Sequence, residues 1–203
     1  MDYRSETKRC YDLFADDFDT KFEVYVQQYL YQEIAELTRR LPPPATIVDL
    51  GSGPGNQALY LQHQGYKLTC IDISETMVEK CRQKGLAATV MDFENLEFPS
   101  DSFDGVWAYT SLLHIPKRNL EWVLMQISAI MKPSAYFFLG MKEGSGEGFR
   151  KQEKYSGTKR WFSLYTDEEL RPYLTPSFDI DFFSRTIVDT DHVFRNYILK
   201  RKV

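Results

Sequence analysis

The chain has few of the residues from which metal centres and disulfide frameworks are built. Its 203 residues include three cysteines and three histidines. The cysteines are Cys10, Cys70 and Cys81, and the histidines are His63, His114 and His192. The cysteines have no C-x-x-C spacing, and the histidines form no cluster with carboxylates along the sequence. We therefore expect reduced thiols and no metal site.

Long apolar runs are also missing from the chain. No stretch approaches the roughly eighteen uncharged apolar residues of a membrane-spanning helix, and residues 1–14 lack the apolar core that a signal peptide needs. A formal net charge of −4 is the opposite of what a general nucleic-acid binder carries. We therefore expect a cytoplasmic protein whose partners include neither a membrane nor a nucleic acid.

The length and composition fit one globular domain. A chain of 203 residues, 43% of them hydrophobic, can bury a substantial core, whereas two domains would each be small. No internal repeat or low-complexity segment divides the sequence. We expect a single domain over residues 1–203, present as a monomer or a homodimer.

The stretch VDLGSGPGN at residues 48–56 organises the chain. Residues 46–50 are rich in β-branched and aliphatic side chains and stop abruptly at glycine, which predicts a short buried strand. Gly51 and Gly53 allow backbone angles that other residues avoid and bring main-chain N–H groups close to a ligand. The N-terminus of the following helix adds further donors. A polar or anionic ligand should bind at this turn.

Two acidic residues downstream narrow the choice of ligand. A dinucleotide fingerprint would place its third glycine at position 56, where this chain has Asn56, so the pattern is G-x-G-x-G. Residues 68–72 predict a second strand that ends at Asp72, whose carboxylate is placed to accept both hydroxyls of a ribose. Residues 88–93 predict a third strand ending in an acid, and Asp92 is placed to accept an adenine amino group.

The remaining periodicities predict alternating helices and strands. Helices are expected over residues 3–20, 26–41, 56–64, 74–84, 116–131 and 166–173, and strands over 103–109, 135–141, 177–187 and 192–200. Such an alternation builds a doubly wound parallel sheet whose ligands gather at the carboxyl ends of the strands. The glycine-rich and basic residues 142–160 predict a mobile loop near the same rim.

The motifs resemble, in order, those of the class I S-adenosylmethionine-dependent methyltransferases. The resemblance rests on VDLGSGPGN, the strand end at Asp72, MDFENLEFPSDSFDGVWA at residues 91–108 and LLHI at residues 112–115. It implies a Rossmann-like α/β fold with a doubly wound, mostly parallel seven-stranded sheet, an antiparallel edge hairpin and an N-terminal helical lid. Residues 1–44 would be the lid, residues 45–142 the cofactor-binding core, and residues 143–203 the acceptor side.

The resemblance also implies S-adenosyl-L-methionine as cofactor, S-adenosyl-L-homocysteine as product, and a set of cofactor contacts. These are Tyr11, Asp49, Gly51, Ser52, Gly53, Asp72, Ile73, Met77, Asp92, Phe93, Ala108 and Tyr109. Tyr11 opens the segment YDLFADDFD, which is similar to a lid motif of small-molecule methyltransferases, with Phe18 in place of its second tyrosine. Asp49 either holds the glycine loop or reaches the methionine amino group, and Met77 either packs on adenine or belongs to the core.

No catalytic residue stands out. Methyl transfer from a sulfonium is an in-line displacement with a neutral leaving group, so orientation and desolvation supply most of the catalysis. Tyr11, Tyr109 and His114 are weak candidates, and a packing role is favoured for His114.

Arg160 lies in a basic and aromatic segment, residues 150–165, and is a candidate to bind a carboxylate or phosphate of the acceptor, with a solvated loop as the alternative.

The favoured function is methyl transfer from S-adenosylmethionine to an unidentified small molecule at oxygen, nitrogen or sulfur. A non-catalytic module that binds S-adenosylmethionine with the same fold is the alternative. A nicotinamide-dependent oxidoreductase is disfavoured by Asn56 and by the lack of a separate catalytic domain. The absence of N-P-P-Y, D-P-P-Y and Pro-Cys motifs argues against DNA methylation.

Overall fold

The structure is a computed structural model that describes residues 2–190 and 192–202, without the side chains of residues 25–27. The helices are α1 (Tyr3–Leu13), α2 (Ala15–Tyr29), α3 (Tyr31–Arg40), α4 (Asn56–His63), α5 (Glu75–Gln83), α6 (Lys117–Ile130) and α7 (Asp167–Leu174). The strands are β1 (Thr46–Leu50), β2 (Lys67–Asp72), β3 (Ala87–Val90), β4 (Phe103–Tyr109), β5 (Met131–Lys142), β6 (Glu147–Arg150), β7 (Arg160–Ser163), β8 (Phe178–Ile187) and β9 (Val193–Arg201).

Seven strands form one sheet in the order β3-β2-β1-β4-β5-β9-β8. The pairs among β1 to β5 are parallel, while β9 runs antiparallel to both β5 and β8. The predicted doubly wound sheet with an antiparallel hairpin at one edge is confirmed. The order reverses beside β1, where β2 lies on one side and β4 on the other, and such a reversal opens a crevice for ligands.

Strand β1 shows why the polar groups collect at the strand ends. Val48 and Leu50 pack on one face of the sheet in the same apolar cluster as Leu124 of α6. Ile47 packs on the other face with Leu61 of α4. Because both faces are buried, a polar ligand can approach this part of the sheet only beyond the carboxyl ends of the strands.

The N-terminal segment forms two helices where a single helix over residues 3–20 was expected. Helix α1 ends at Leu13, and the backbone of the next residue, Phe14, leaves the helical region while its N–H still bonds to the carbonyl of Cys10. The Phe14 ring packs on Tyr155, with ring centroids 5.2 Å apart. Similarly, the helix expected from residue 26 begins at Tyr31; the side chain of Val26, assigned to its apolar stripe, lies outside the described residues.

The prediction of a mobile loop over residues 142–160 is wrong. Strands β6 and β7 form a separate two-stranded antiparallel sheet, joined through a 3-10 turn at Glu153–Tyr155. Cross-strand aromatic packing stabilises this ribbon, because Phe149 and Trp161 meet edge to face at 5.3 Å. The ribbon lies beside α1 and continues into α7, where the predicted capping box of Thr166 is present.

Two strand boundaries also differ from expectation. Strand β3 ends at Val90, because residues 92–95 turn away and the Asp92 carboxylate accepts the N–H of Glu94 at 2.9 Å. Asp92 therefore stands beyond the strand rather than on it. Strand β5 begins at Met131 rather than at residue 135, since a register shift lets Met131 pair with Phe103 before regular pairing starts.

No helix among the described residues is long and apolar enough to cross a membrane.

Candidate active site

The turn after β1 brings main-chain N–H groups to the centre of the sheet edge. The N–H groups of Gly51 and Ser52 both bond to the carbonyl of Ile71 on β2, at 2.9 and 3.0 Å. Gly51 has a positive φ of 68°, and a Cβ added there would lie 2.6 Å from the Cβ of Ser111. A side chain at this position would therefore be strained and would also collide with the segment after β4.

Asp72 fastens this turn to the end of β2. Its Oδ2 accepts the N–H of Gly53 and its Oδ1 accepts the N–H of Ser74, each at 2.9 Å. Burial raises the pKa of Asp72 to about 6, against the lowering effect of these backbone bonds. Each oxygen keeps a lone pair beyond these bonds, so the carboxylate can accept further donors from a ligand.

Asp49 lies deeper in the sheet. Its carboxyl is 2% exposed, and its Oδ2 has no hydrogen-bond partner among the described residues. Burial raises the pKa of Asp49 well above its usual value, with the charges of Cys81 and Asp72 acting in the same direction. An unpartnered buried carboxyl oxygen is costly, so this group suits a polar hydrogen-bond partner supplied from outside the chain.

A cavity of about 840 Å³, including its open mouth, lies against the glycine turn. The residues predicted for the site that line it are Tyr11, Gly51, Ser52, Gly53, Asp72, Ile73, Asp92, Phe93, Tyr109 and His114. Three predicted contacts are not in its lining. Asp49 and Ala108 are buried in the sheet, and Met77 is fully buried against Cys10 and Phe18 in the core.

Helix α1 supplies lining residues that the sequence reasoning missed. Tyr3 and Thr7 line the cavity together with Tyr11, at a spacing of four residues along one helix face. Arg4 forms an ion pair with Asp92 at 2.9 Å and also contacts Glu94. The four-residue repeat from Tyr11 back to Tyr3 was the available signal.

Helix α2 is held onto the glycine turn by Asn56. The Asn56 side-chain amide donates to the main-chain oxygen of Asp19 at 2.7 Å and to its carboxylate at 3.0 Å. Lys84 bonds both the Asp19 carboxylate and the carbonyl of Pro54, each at 2.6 Å. The residue that replaces the third glycine of a dinucleotide motif therefore helps to hold the N-terminal helices over the cavity.

A second cavity of about 520 Å³, including its mouth, adjoins the first. Its lining shares with the first cavity the residues Tyr11, Phe22, Tyr109, Thr110 and His114. Its other walls come from α2, β7, the end of β5 and the start of β9, and Arg160 is among them. The two cavities thus meet at a wall built from α1, α2 and the segment after β4.

Three of the candidate residues form one hydrogen-bonded chain in that wall. A guanidinium N–H of Arg160 donates to the Tyr11 hydroxyl at 3.0 Å, and that hydroxyl lies 2.7 Å from Nε2 of His114. The other ring nitrogen, Nδ1, lies 2.6 Å from the carbonyl of Trp161. Since a carbonyl only accepts, Nδ1 carries the proton and Nε2 accepts from Tyr11.

The charge state of His114 follows from this arrangement. Burial and, to a smaller extent, the charge of Arg160 lower the pKa of His114 to about 3, although the bond to Trp161 acts in the opposite direction. Burial raises the pKa of Tyr11, and Arg160 acts in the opposite direction. At neutral pH the imidazole and the phenol are both uncharged, so His114 orients the Tyr11 hydroxyl.

The comparisons with known proteins agree with this geometry. Residues 47–134 match the model of a family described as methyltransferase domain. Over these residues, which are somewhat less than half of the chain, the match supports a methyltransferase domain of the class I S-adenosylmethionine-dependent type. The matched residues run from β1 into the start of β5 and so include the glycine turn, Asp72 and Asp92. The cofactor of this family is S-adenosylmethionine.

One curated relative is a sarcosine/dimethylglycine N-methyltransferase from Halorhodospira halochloris. It is 32% identical over 115 residues, which are 52% of this chain and 40% of the relative. The chain therefore spans about two fifths of the length of this relative. The shared part supports the family and the cofactor, and methylation of sarcosine or dimethylglycine is the reaction of that relative.

Two solved structures share the fold. A methyltransferase from Methanosarcina mazei superposes with a TM-score of 0.77 at 20% identity, over 86% of this chain and 99% of the other. A 1,6-didemethyltoxoflavin-N1-methyltransferase from Burkholderia thailandensis, solved with bound 1,6-didemethyltoxoflavin and S-adenosylhomocysteine, gives a TM-score of 0.74 at 18% identity over 95% of this chain and 87% of the other. At these identities the likeness shows the fold.

The residues around the first cavity fit the family's cofactor. Ser111 contributes a buried hydroxyl that has no partner among the described residues, directly beside Gly51. Asp72 retains accepting capacity at the rim, and Ile73 and Phe93 add apolar surface to the lining. Donors, acceptors and an apolar wall suit a nucleoside that carries an amino-acid tail.

Proposed function

We propose that the chain catalyses methyl transfer from S-adenosylmethionine to a small-molecule acceptor. The observation that carries the proposal is the pair of adjoining cavities, one against the glycine turn and Asp72 and the other on the far side of Tyr11 and His114. An enzyme that transfers a group between two small molecules needs two such cavities in contact. A module that only binds S-adenosylmethionine needs the first cavity alone.

We assign the cofactor contacts to the lining residues on the side of the glycine turn. Asp72 would hold the ribose hydroxyls, and Ile73 and Phe93 would pack on the adenine. Asp92 would accept the adenine amino group with the lone pairs that Arg4 leaves available. The Gly51, Ser52 and Gly53 backbone would follow the ribose and the methionine part, with the Asp49 carboxyl behind it.

Catalysis in this proposal rests on positioning. When bound, S-adenosylmethionine supplies an electrophilic methyl carbon on a sulfonium. Tyr11 lines both cavities and is fixed by His114 and Arg160, so its hydroxyl directs an acceptor that lies against the shared wall. Helices α1 and α2 cover the site and exclude water. A pKa of about 3 makes His114 unsuited to hold a proton at neutral pH.

We also propose a single domain with residues 1–44 as lid, 45–142 as cofactor core and 143–203 as acceptor side. The continuous seven-stranded sheet supports one domain, and the second cavity draws Arg160 and Phe162 from the last segment. A cytoplasmic location and a monomer or homodimer complete the proposal.

A turnover assay separates the enzyme from the binding module. The purified chain is incubated with S-adenosylmethionine and a panel of small amines, phenols, thiols and acids, and S-adenosylhomocysteine is quantified by chromatography. The proposal requires multiple turnovers with at least one acceptor and none without it. Calorimetric binding of S-adenosylhomocysteine without turnover across the panel would favour the module, and no binding at all would reject the cofactor site.

A further inference from the structure

Arg160 is a buried cation in an aromatic cage. The residue is 7% exposed, and its guanidinium carbon lies 5.0 to 5.3 Å from four ring centroids. The rings are those of Tyr11, Phe18, Tyr155 and Phe162. Their π faces attract the cation and fix its plane, but they do not neutralise its charge. The loop interpretation of this position, in which the charge is solvated, is therefore wrong.

No carboxylate compensates this charge among the described residues. Among the described residues, no carboxylate oxygen lies within 4.0 Å of the Arg160 guanidinium, and its hydrogen bonds go to the Tyr11 hydroxyl and to the side-chain oxygen of Gln152, which are both neutral. These bonds use two of the five N–H donors of a guanidinium. Buried charges in proteins are normally paired, so an unpaired one beside a cavity points to an anion from outside.

The other charged side chains that line the second cavity carry a positive charge, as Arg160 does. Lys21 and Lys142 line it with Arg160, and the described residues of its lining include no aspartate or glutamate. Burial, together with the charges of Arg160, Lys154 and Lys142, lowers the pKa of Lys21 to about 8, although Asp189 acts in the opposite direction. The cations are thus close enough to repel one another, in a protein whose net charge is −4.

We propose that the second cavity binds the acceptor through an oxyanion, a carboxylate or a phosphate, seated on Arg160 with Lys21 and Lys142 beside it. This inference rests on the proposed function and names the chemical class of its acceptor. The planar guanidinium offers parallel donors that match either oxyanion, which an ammonium cannot reproduce. From Arg160 the acceptor extends to Tyr109, Thr110 and His114, which line both cavities.

The test uses the whole chain saturated with S-adenosylhomocysteine and three probes of one shape: benzoate, phenyl phosphate and the neutral benzamide. Calorimetry measures the dissociation constant of each. At least one anion should bind about tenfold or more tightly than benzamide. Preference for benzoate identifies a carboxylate acceptor, and preference for phenyl phosphate identifies a phosphate acceptor.

Variants locate the anion. Arg160→Gln should reduce the preference for the anion over benzamide by about tenfold or more, and Arg160→Lys should restore part of it. Arg150→Gln is the matched control, because Arg150 is the exposed cross-strand partner of Arg160 and should leave the preference unchanged. If Arg160→Gln does not fold, Lys21→Gln reports on the same cavity and should lower the preference.

The outcomes separate the two proposals. Tight S-adenosylhomocysteine binding with no preference for either anion overturns the oxyanion site and leaves the methyltransferase proposal standing. A preference that survives both Arg160→Gln and Lys21→Gln also overturns it, since the anion then binds elsewhere. Failure of the wild-type chain to bind S-adenosylhomocysteine would instead reject the cofactor site.

Discussion

Asp72 combines a structural and a binding role in one carboxylate. It accepts the N–H groups of Gly53 and Ser74, so it ties the glycine turn to the end of β2 even before a ligand arrives. We predict that Asp72→Ala weakens S-adenosylhomocysteine binding by about 1.5 to 3 kcal/mol, the scale of lost charged hydrogen bonds. Calorimetry on the folded variant measures this, with Glu79→Ala on the exposed side of α5 as control. Unchanged affinity would remove Asp72 from the site.

The pKa of Asp72 makes the same binding sensitive to pH. A carboxylate that accepts two hydroxyl donors must be ionised, and a pKa of about 6 means that most of it is protonated at pH 5. We predict that the affinity of the wild type for S-adenosylhomocysteine falls about tenfold between pH 7 and pH 5. Asp72→Asn should bind weakly and show a much flatter profile. Parallel profiles in the two proteins would contradict the assignment.

His114 should make the fold sensitive to acid. Its pKa is about 3 in the folded chain and about 6.5 when unfolded, so between these values the unfolded chain binds more protons and stability falls as pH falls. We predict that the free energy of unfolding, measured with urea, drops by about 2 kcal/mol more in wild type than in His114→Gln between pH 7 and pH 5. Asp72 is present in both proteins, so its contribution to the pH dependence of stability cancels in the comparison. Equal drops would show that His114 titrates normally.

At the scale of elements, the contact between α2 and the glycine turn depends on few side chains. Asn56→Ala removes two hydrogen bonds to Asp19 while Lys84 remains. We predict a loss of about 1 kcal/mol in the free energy of unfolding and faster amide hydrogen exchange in α2. Arg39→Ala, which removes an exposed ion pair on α3, is the control and should change stability by less than about 0.5 kcal/mol. Unchanged exchange in α2 would show that α2 is held by its packing alone.

The parallel core could be predicted from the sequence because its signals are local. Val48 and Leu50 belong to an apolar run that stops at glycine, and α5 has its own side-chain N-cap in Ser74. Strands β6 and β7 were missed because their stability comes from a pairing partner. Phe149 and Trp161 are twelve residues apart, and their contact is invisible until the ribbon has formed.

Part of the candidate site could also be predicted from the sequence. Residues that follow strand ends, such as Gly51 and Asp72, lie in the first cavity because the topology dictates it. Arg160 was singled out from its charge and its aromatic neighbours. Its cage could not be foreseen, since Phe18 comes from the lid and Tyr155 from the turn before β7. Long-range convergence of this kind leaves no periodic trace in the sequence.

For the whole molecule, we predict catalysis without a metal ion. The described residues contain no group of three or more histidine, cysteine or acidic side chains placed to hold one, and displacement from a sulfonium needs no Lewis acid. Once an acceptor is known, enzyme treated with EDTA and then dialysed should retain its rate within about twofold. Activity that is lost with EDTA and returns with magnesium or zinc would refute this.

Helix α1 forms part of the wall of both cavities. Arg4 binds Asp92 on one side, the Thr7 hydroxyl accepts the N–H of Trp161 on the other, and Tyr11 lies between them. A ligand that steadies this helix from either side lowers the cost of ordering it for the other ligand, and such coupling is reciprocal. The factor by which the bound nucleoside raises the affinity for the anion must equal the factor by which the bound anion raises the affinity for the nucleoside.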